Sequence, residues 1–241
     1  MAVQRKSIVA GGLILSLSLL AGCKLNPVEP LPTPPSACAG LKAQRLADLS
    51  ANSLPPGRHL LWLDRATSFD AQLVGGGGGG GSGRAKGEWT WGGGGWAAEY
   101  KPPFAIKKLE RGYYLIVVGQ GGAGATGPNH SDPPADGAAG TETRISRCSS
   151  DVTIAQVSGG AGGRGDARTG GGDRADPGEN YGTSTTDPAF GRGGVGGGKN
   201  ENGQDAPGYG AGGGGQGRTE IQHTYHGGTG GKGYAKLFPV R

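Results

Sequence analysis

Aromatic side chains are scarce in this 241-residue chain: 6% of residues are Phe, Trp or Tyr, and the hydrophobic total is only 34%. So small an apolar stock excludes a large conventional core. Methionine occurs once, cysteine three times, and charged residues make up 18%. The one long hydrophobic run, residues 8–20, is short for a membrane-spanning helix. The formal net charge is +5, and Arg5 and Lys6 account for two of those charges. Elsewhere basic and acidic residues alternate, as in GGRGDARTGGGDRADPGEN, so no basic stripe for nucleic acid forms.

Motifs for chemistry are missing too. Lys232 is followed by Gly233, where a phosphate-binding loop needs Ser or Thr. No GxSxG nucleophile elbow is present. GGRGD sets Asp166 one residue early for a calcium-binding nonapeptide, and the Arg164-Gly165-Asp166 triplet is what a Gly/Arg/Asp-rich stretch yields by chance. His223 and His226 in HTYH lack a third ligand. The expectation is therefore a non-enzymatic protein with no metal and no cofactor.

What the chain has is glycine, 55 residues of it, with 16 prolines; together they are roughly three residues in ten, the range of fibrous repeats or disorder. Against disorder stand five strand-like runs: HLLWL, FDAQLV, YYLIVV, VTIAQV and YAKLFPV. Three of them empty directly into glycine, as AQLV into GGGGGGGSG, LIVV into GQGGAGATG and AQV into SGGAGGRG. The fifth follows GGTGGKG. A collagen-like period fails at once in GGGGGGGSGRAKGEWTWGGGGW. Side-by-side packing of extended, three-residue-per-turn polyglycine helices meets the constraint, because their outward N–H and C=O groups can pair with one another. A Cβ would wedge such neighbours apart, which explains why only glycine serves.

The front of the chain reads as targeting. Arg5 and Lys6 precede the apolar stretch as in a secretory signal. Leu20-Ala21-Gly22-Cys23 resembles the bacterial lipobox, which implies a lipid on Cys23. Lys24 follows that cysteine rather than aspartate, and by analogy the address is the outer membrane. Residues 23–36 carry a crowd of prolines and form an extended tether. The organisation is thus 1–22 signal peptide, 23–36 tether and 37–241 glycine-rich domain. In an oxidising compartment Cys38 and Cys148 remain as an even pair. A bridge between them would close a loop of about 110 residues, nominally worth about 4–5 kcal/mol.

The order LVGGGGGGG, LERGYYLIVVGQGGAG, GTETRIS…AQVSGGAGGRG and GGTGGKGYAKLF resembles the glycine-rich domain family of bacterial and phage proteins over about residues 55–241. That resemblance implies an all-β fold with little or no α-helix: a small β-sandwich extended by a bundle of packed polyglycine-II helices. It also implies a rigid binding module whose inter-helix loops vary. Trp89, Trp91, Trp96 and Tyr100 in GEWTWGGGGWAAEY are the candidate contact residues. Their rings either cap the end of the glycine bundle or stack on a surface glycan or an envelope protein. The partners expected are the membrane, through lipidated Cys23, and one of those two, contacted also through the loops GPNHSDPPADGAAG and GENYGTSTTDPAFG.

Overall fold

Among the described residues there are eight short strands, most of them where the sequence alternates or concentrates apolar residues, and they sort into two sheets. The computed structural model describes residues 31–83, 91–127, 134–150, 152–165, 191–217 and 224–240. The chain divides into two units, Met1–Pro32 and Thr33–Arg241, and all the described strands and helices lie in the second. The strands are β1 (Ala43–Arg45), β2 (Gly57–Leu63), β3 (Thr67–Val74), β4 (Tyr100–Leu109), β5 (Gly112–Val118), β6 (Thr143–Arg147), β7 (Thr153–Val157) and β8 (Tyr234–Pro239). One sheet runs β1-β2-β5-β6-β7 and the other β4-β3-β8. All pairings are antiparallel except β1 with β2. Among the described residues helix is nearly absent, reduced to the five residues of α1 (Leu46–Ser50) and a 3-10 turn at Ser36–Cys38.

Both sheets contribute to one core. Leu61, Ile116 and Ile145 from the five-stranded sheet share it with Phe69, Leu73 and Leu237 from the three-stranded one, each 0% exposed. Burying a side chain of this size is worth about 1.5–3 kcal/mol. Leu49 of α1 joins the same core, and the Leu54 N–H donates to the Ala235 carbonyl at 2.8 Å, covering the free edge of β8.

β2 and β5 are buried on both faces. Their alternate residues Leu60, Trp62, Tyr113 and Leu115 form a second cluster with Cys38 and Cys148. The chain around the Ser36–Cys38 turn lies there, and the structure joins Cys38 to Cys148 with Cα atoms 5.9 Å apart across 110 residues. The Trp62 and Tyr113 rings stack beside them at 4.5 Å, tilted by 40°.

β4 and β6 lie outside the strand-like runs read from the sequence. β4 carries Pro102 and Pro103, which cannot donate to a ladder. It is the edge of its sheet, pairing on one side only, with β3. Lys101, Lys107 and Lys108 further blunt that edge.

The strands open into glycine tracts at one end of the two sheets: β3 into 75–83, β5 into 119–127 and β7 into 158–165, while 224–233 leads into β8. Thr143 sits at this handover, 0% exposed; its hydroxyl donates to the Val74 carbonyl at 2.6 Å and accepts from the Gly119 N–H at 2.9 Å.

Candidate functional site

Residues 75–82 donate eight consecutive backbone N–H groups to other segments, and the recipient changes with a period of three. Gly75, Gly78 and Gly81 donate to Glu99, Trp96 and Gly93; Gly76, Gly79 and Ser82 to Thr141, Ala138 and Ala135; Gly77 and Gly80 to Gly231 and Gly228. The carbonyls accept with the same period. Those of Gly76 and Gly79 take the N–H of Gly160 and Gly163, those of Gly77 and Gly80 take Gly122 and Ala125, and those of Gly78 and Gly81 take Gly213 and Gln216. Six tracts therefore surround one, and adjacent tracts bond to each other around the ring: Trp96 to Ala161, Gly140 to Gly160, Ala138 to Ala123, Gly230 to Gly122, Gly228 to Gly214 and Gly95 to Gly213. Tracts 191–198 and 201–208 add a partial second layer, with Gly194 donating to Gly212 and Gly203 to His226.

A Cβ added to any glycine of 75–81 would run into neighbouring backbone. A methyl on Gly78 would meet the Ala161 carbonyl carbon and oxygen, and one on Gly76 the Gln120 carbonyl. The array's end is closed by Ser82, whose Oγ accepts the Ala135 N–H at 2.8 Å.

On several of the outer tracts every third residue faces solvent. In SGGAGGRG the exposed residues are Ser158, Ala161 and Arg164; in HGGTGGKG they are His226, Thr229 and Lys232; in RGGVGGG, Arg192 and Val195. The glycines between them turn inward or sideways. This x-G-G spacing is present in the sequence as a local signal, short enough in each tract to escape a search for a chain-wide collagen period.

The aromatic candidates separate by burial. Trp91 is 5% exposed and Trp96 58% exposed. Tyr100 is half-buried, packs against the Val74–Tyr234 pair and receives the Gln72 amide N–H at 3.2 Å. Trp89 lies outside the described residues, as do Cys23, His223, Asp166 and most of GENYGTSTTDPAFG. The Trp96 backbone belongs to an antiparallel ladder in which the N–H groups of Gly93, Trp96 and Glu99 donate to the carbonyls of Arg164, Ala161 and Ser158.

Among the described residues no group of three or more His, Cys, Asp or Glu side chains could hold a metal ion, and no helix is long and apolar enough to cross a membrane. His226 is exposed, and its backbone N–H donates to Asn202 Oδ1 at 2.8 Å. The perturbed titrating groups belong to the core. Burial pushes the Tyr113 and Tyr114 hydroxyls up; Arg147 opposes the rise at Tyr114 and Glu110 adds to it. The Tyr114 hydroxyl donates to the Glu110 carbonyl at 2.8 Å.

A family model described as a glycine-rich domain matches residues 60–237, from β2 through β8 and all the tracts between. No curated protein matches the chain.

Proposed function

Because this chain belongs to the glycine-rich domain family, we propose that it is a non-enzymatic structural or binding module of a bacterial outer membrane. In this reading a β-sandwich, extended by a bundle of polyglycine-II helices, is held at the membrane by lipid on Cys23 and a proline-rich tether. The observation that carries the module half is the three-residue period with which 75–82 bonds to six neighbours. That period is the symmetry of a three-residue-per-turn helix. A tract whose N–H groups are all engaged has few open states, so the bundle is a rigid projection rather than a linker.

Attachment is tested separately. Cys23→Ser should leave the signal uncleaved and remove label from a fatty-acid analogue fed to the cells. A mutant labelled as strongly as the wild type would sink the anchor.

A second reading, recognition of surface glycans or proteins through surfaces and loops between the helices, is favoured by Trp96. A large ring 58% exposed offers a stacking face. Trp96→Ala should abolish any signal on a glycan array or envelope-protein pulldown while leaving melting unchanged. Retained binding in that variant would remove Trp96 from the contact surface.

A further inference from the structure

At the end of the sheets remote from the glycine tracts, the β2–β3 turn, the β1–α1 junction and the tail of β8 enclose a cleft of about 330 Å³. Its wall includes Trp62 and Leu46, and its rim carries Arg45 and Arg65 with Asp64, Thr67 and Ser68. We propose that this cleft binds a carboxylated sugar residue. It depends on neither the lipid anchor nor Trp96.

Each part of such a ligand has a counterpart. Arg45 and Arg65 are exposed, and among the described residues no carboxylate pairs with either guanidinium. Two unengaged forks facing one cleft suit a carboxylate, which accepts parallel N–H bonds. The apolar part of the lining comes from Leu46 and Ala47, against which the C–H face of a sugar can rest, while the Trp62 ring is 8% exposed and taken up by Tyr113 and the Arg111 guanidinium. Asp64 can accept from sugar hydroxyls.

The two rim hydroxyls have complementary roles. Thr67 Oγ1 donates to the Arg65 carbonyl at 2.9 Å, which leaves its lone pairs to accept. Ser68 Oγ accepts the Lys108 N–H at 3.0 Å, which leaves its proton to donate. That second bond comes from a β-bulge, where the pairing shifts between Thr67–Leu109 and Phe69–Ile106. Lys108 adopts φ 52° there, an uncommon conformation for a residue with a side chain. Bulges of this kind re-aim side chains next to binding sites. The volume lies at the small end of the usual ligand-pocket range, enough for one or two sugar rings.

The test is a titration of the purified full-length protein with sodium D-glucuronate, D-glucose and sodium acetate, followed by amide NMR shifts of residues 64–68. Glucuronate should shift them saturably with a millimolar Kd, and glucose and acetate should bind at least about tenfold more weakly. Arg45→Gln combined with Arg65→Gln should weaken glucuronate about 10- to 100-fold, since each lost charge-assisted contact is worth about a factor of ten. Both side chains are exposed, so melting should not change. Ser68→Ala should weaken glucuronate more than acetate. Equal binding of glucose would overturn the carboxylate role, and equal binding of acetate would reduce the cleft to a bare anion site. Shifts indifferent to the arginine changes, or no saturable shift, would overturn the proposal altogether.

Discussion

The two-sheet region and the glycine region of this molecule are held together by opposite rules. Between the sheets, side chains such as Phe69, Ile116 and Leu237 fill the space, all 0% exposed. Stability there depends on having enough atoms. In the glycine region 75–83 and 211–217 are equally buried, yet almost no side chain is present. Stability there depends on having no extra atoms, because each Cα faces a neighbouring carbonyl. A core built from side chains fails when a residue becomes smaller, and a core built from backbone fails when one becomes larger. Hydrogen bonds serve both regions, but in the sheets they link neighbours in a plane, whereas 75–82 is bonded to six tracts all round it.

The largest expected effect asks whether the two regions unfold as one. Replacing Cys38 and Cys148 together by Ser removes a cross-link spanning 110 residues, at a cost of about 4–5 kcal/mol by loop entropy. The bridge touches only the sheet region, where it holds the chain at Ser36–Cys38 against Leu60, Trp62 and Tyr113. A common fall in denaturation midpoint, read by near-ultraviolet circular dichroism and by amide exchange across 75–81, marks one cooperative unit. Two separated transitions would split the comparison into independent domains.

Next in size is Gly78→Ala. Overpacking costs about 1–3 kcal/mol, and the Gly78 N–H bond to Trp96, with a carbonyl bond from Gly213, adds about 1 kcal/mol each if displaced. The expected loss is about 3–5 kcal/mol, and exchange across the wild-type tract should be slow. Ala161→Ser, on an outward position of the adjoining tract, should change stability by less than about 0.5 kcal/mol. Equal melting of wild type and Gly78→Ala, with fast exchange at 75–81, would mean that the run is only a loop.

The smallest effect sharpens the other side of the comparison. Ile116→Val deletes one methyl from the shared core and should cost about 0.5–1.5 kcal/mol by chemical denaturation. A gain in stability would mean that the sheets, too, are limited by crowding.

How much of the molecule was legible in its sequence differs between the regions. β2, β3, β5, β7 and β8 coincide with apolar runs, since residues buried on one or both sheet faces are written directly as Leu, Ile, Val and Tyr. β4 was hidden because its prolines and lysines argue against a strand, a conflict that an edge position removes. β6, TRISR, is short and half polar, and it is a strand because β5 and β7 lie on either side of it. The aromatic cluster read as one group, since Trp89, Trp91, Trp96 and Tyr100 are close in sequence; the burial of Trp91 and exposure of Trp96 depend on which tract lies alongside each. The cleft between Arg45 and Arg65 had no linear signal at all, because its residues come from the β1–α1 junction, the β2–β3 turn and the end of β8.

By itself the sequence determined where backbone must pack on backbone. Seven successive glycines at 75–81 can only be buried by hydrogen-bonding their own N–H and C=O groups to something. The x-G-G spacing is a further local signal, which takes its meaning once the exposed positions are known. An unbroken run such as 75–81 tolerates neighbours on all sides, while SGGAGGRG and HGGTGGKG need every third residue free. What only the tertiary structure decided is which tract lies beside which. Glycine tracts are chemically alike, so no side-chain code pairs 75–82 with 135–141 rather than with 191–198. The sheets make that choice. Strand order and register fix the points from which β3, β5 and β7 release their glycines and at which β8 receives its own, with Thr143 bonded between two of them. From those fixed origins, each tract meets the neighbours that its starting position allows.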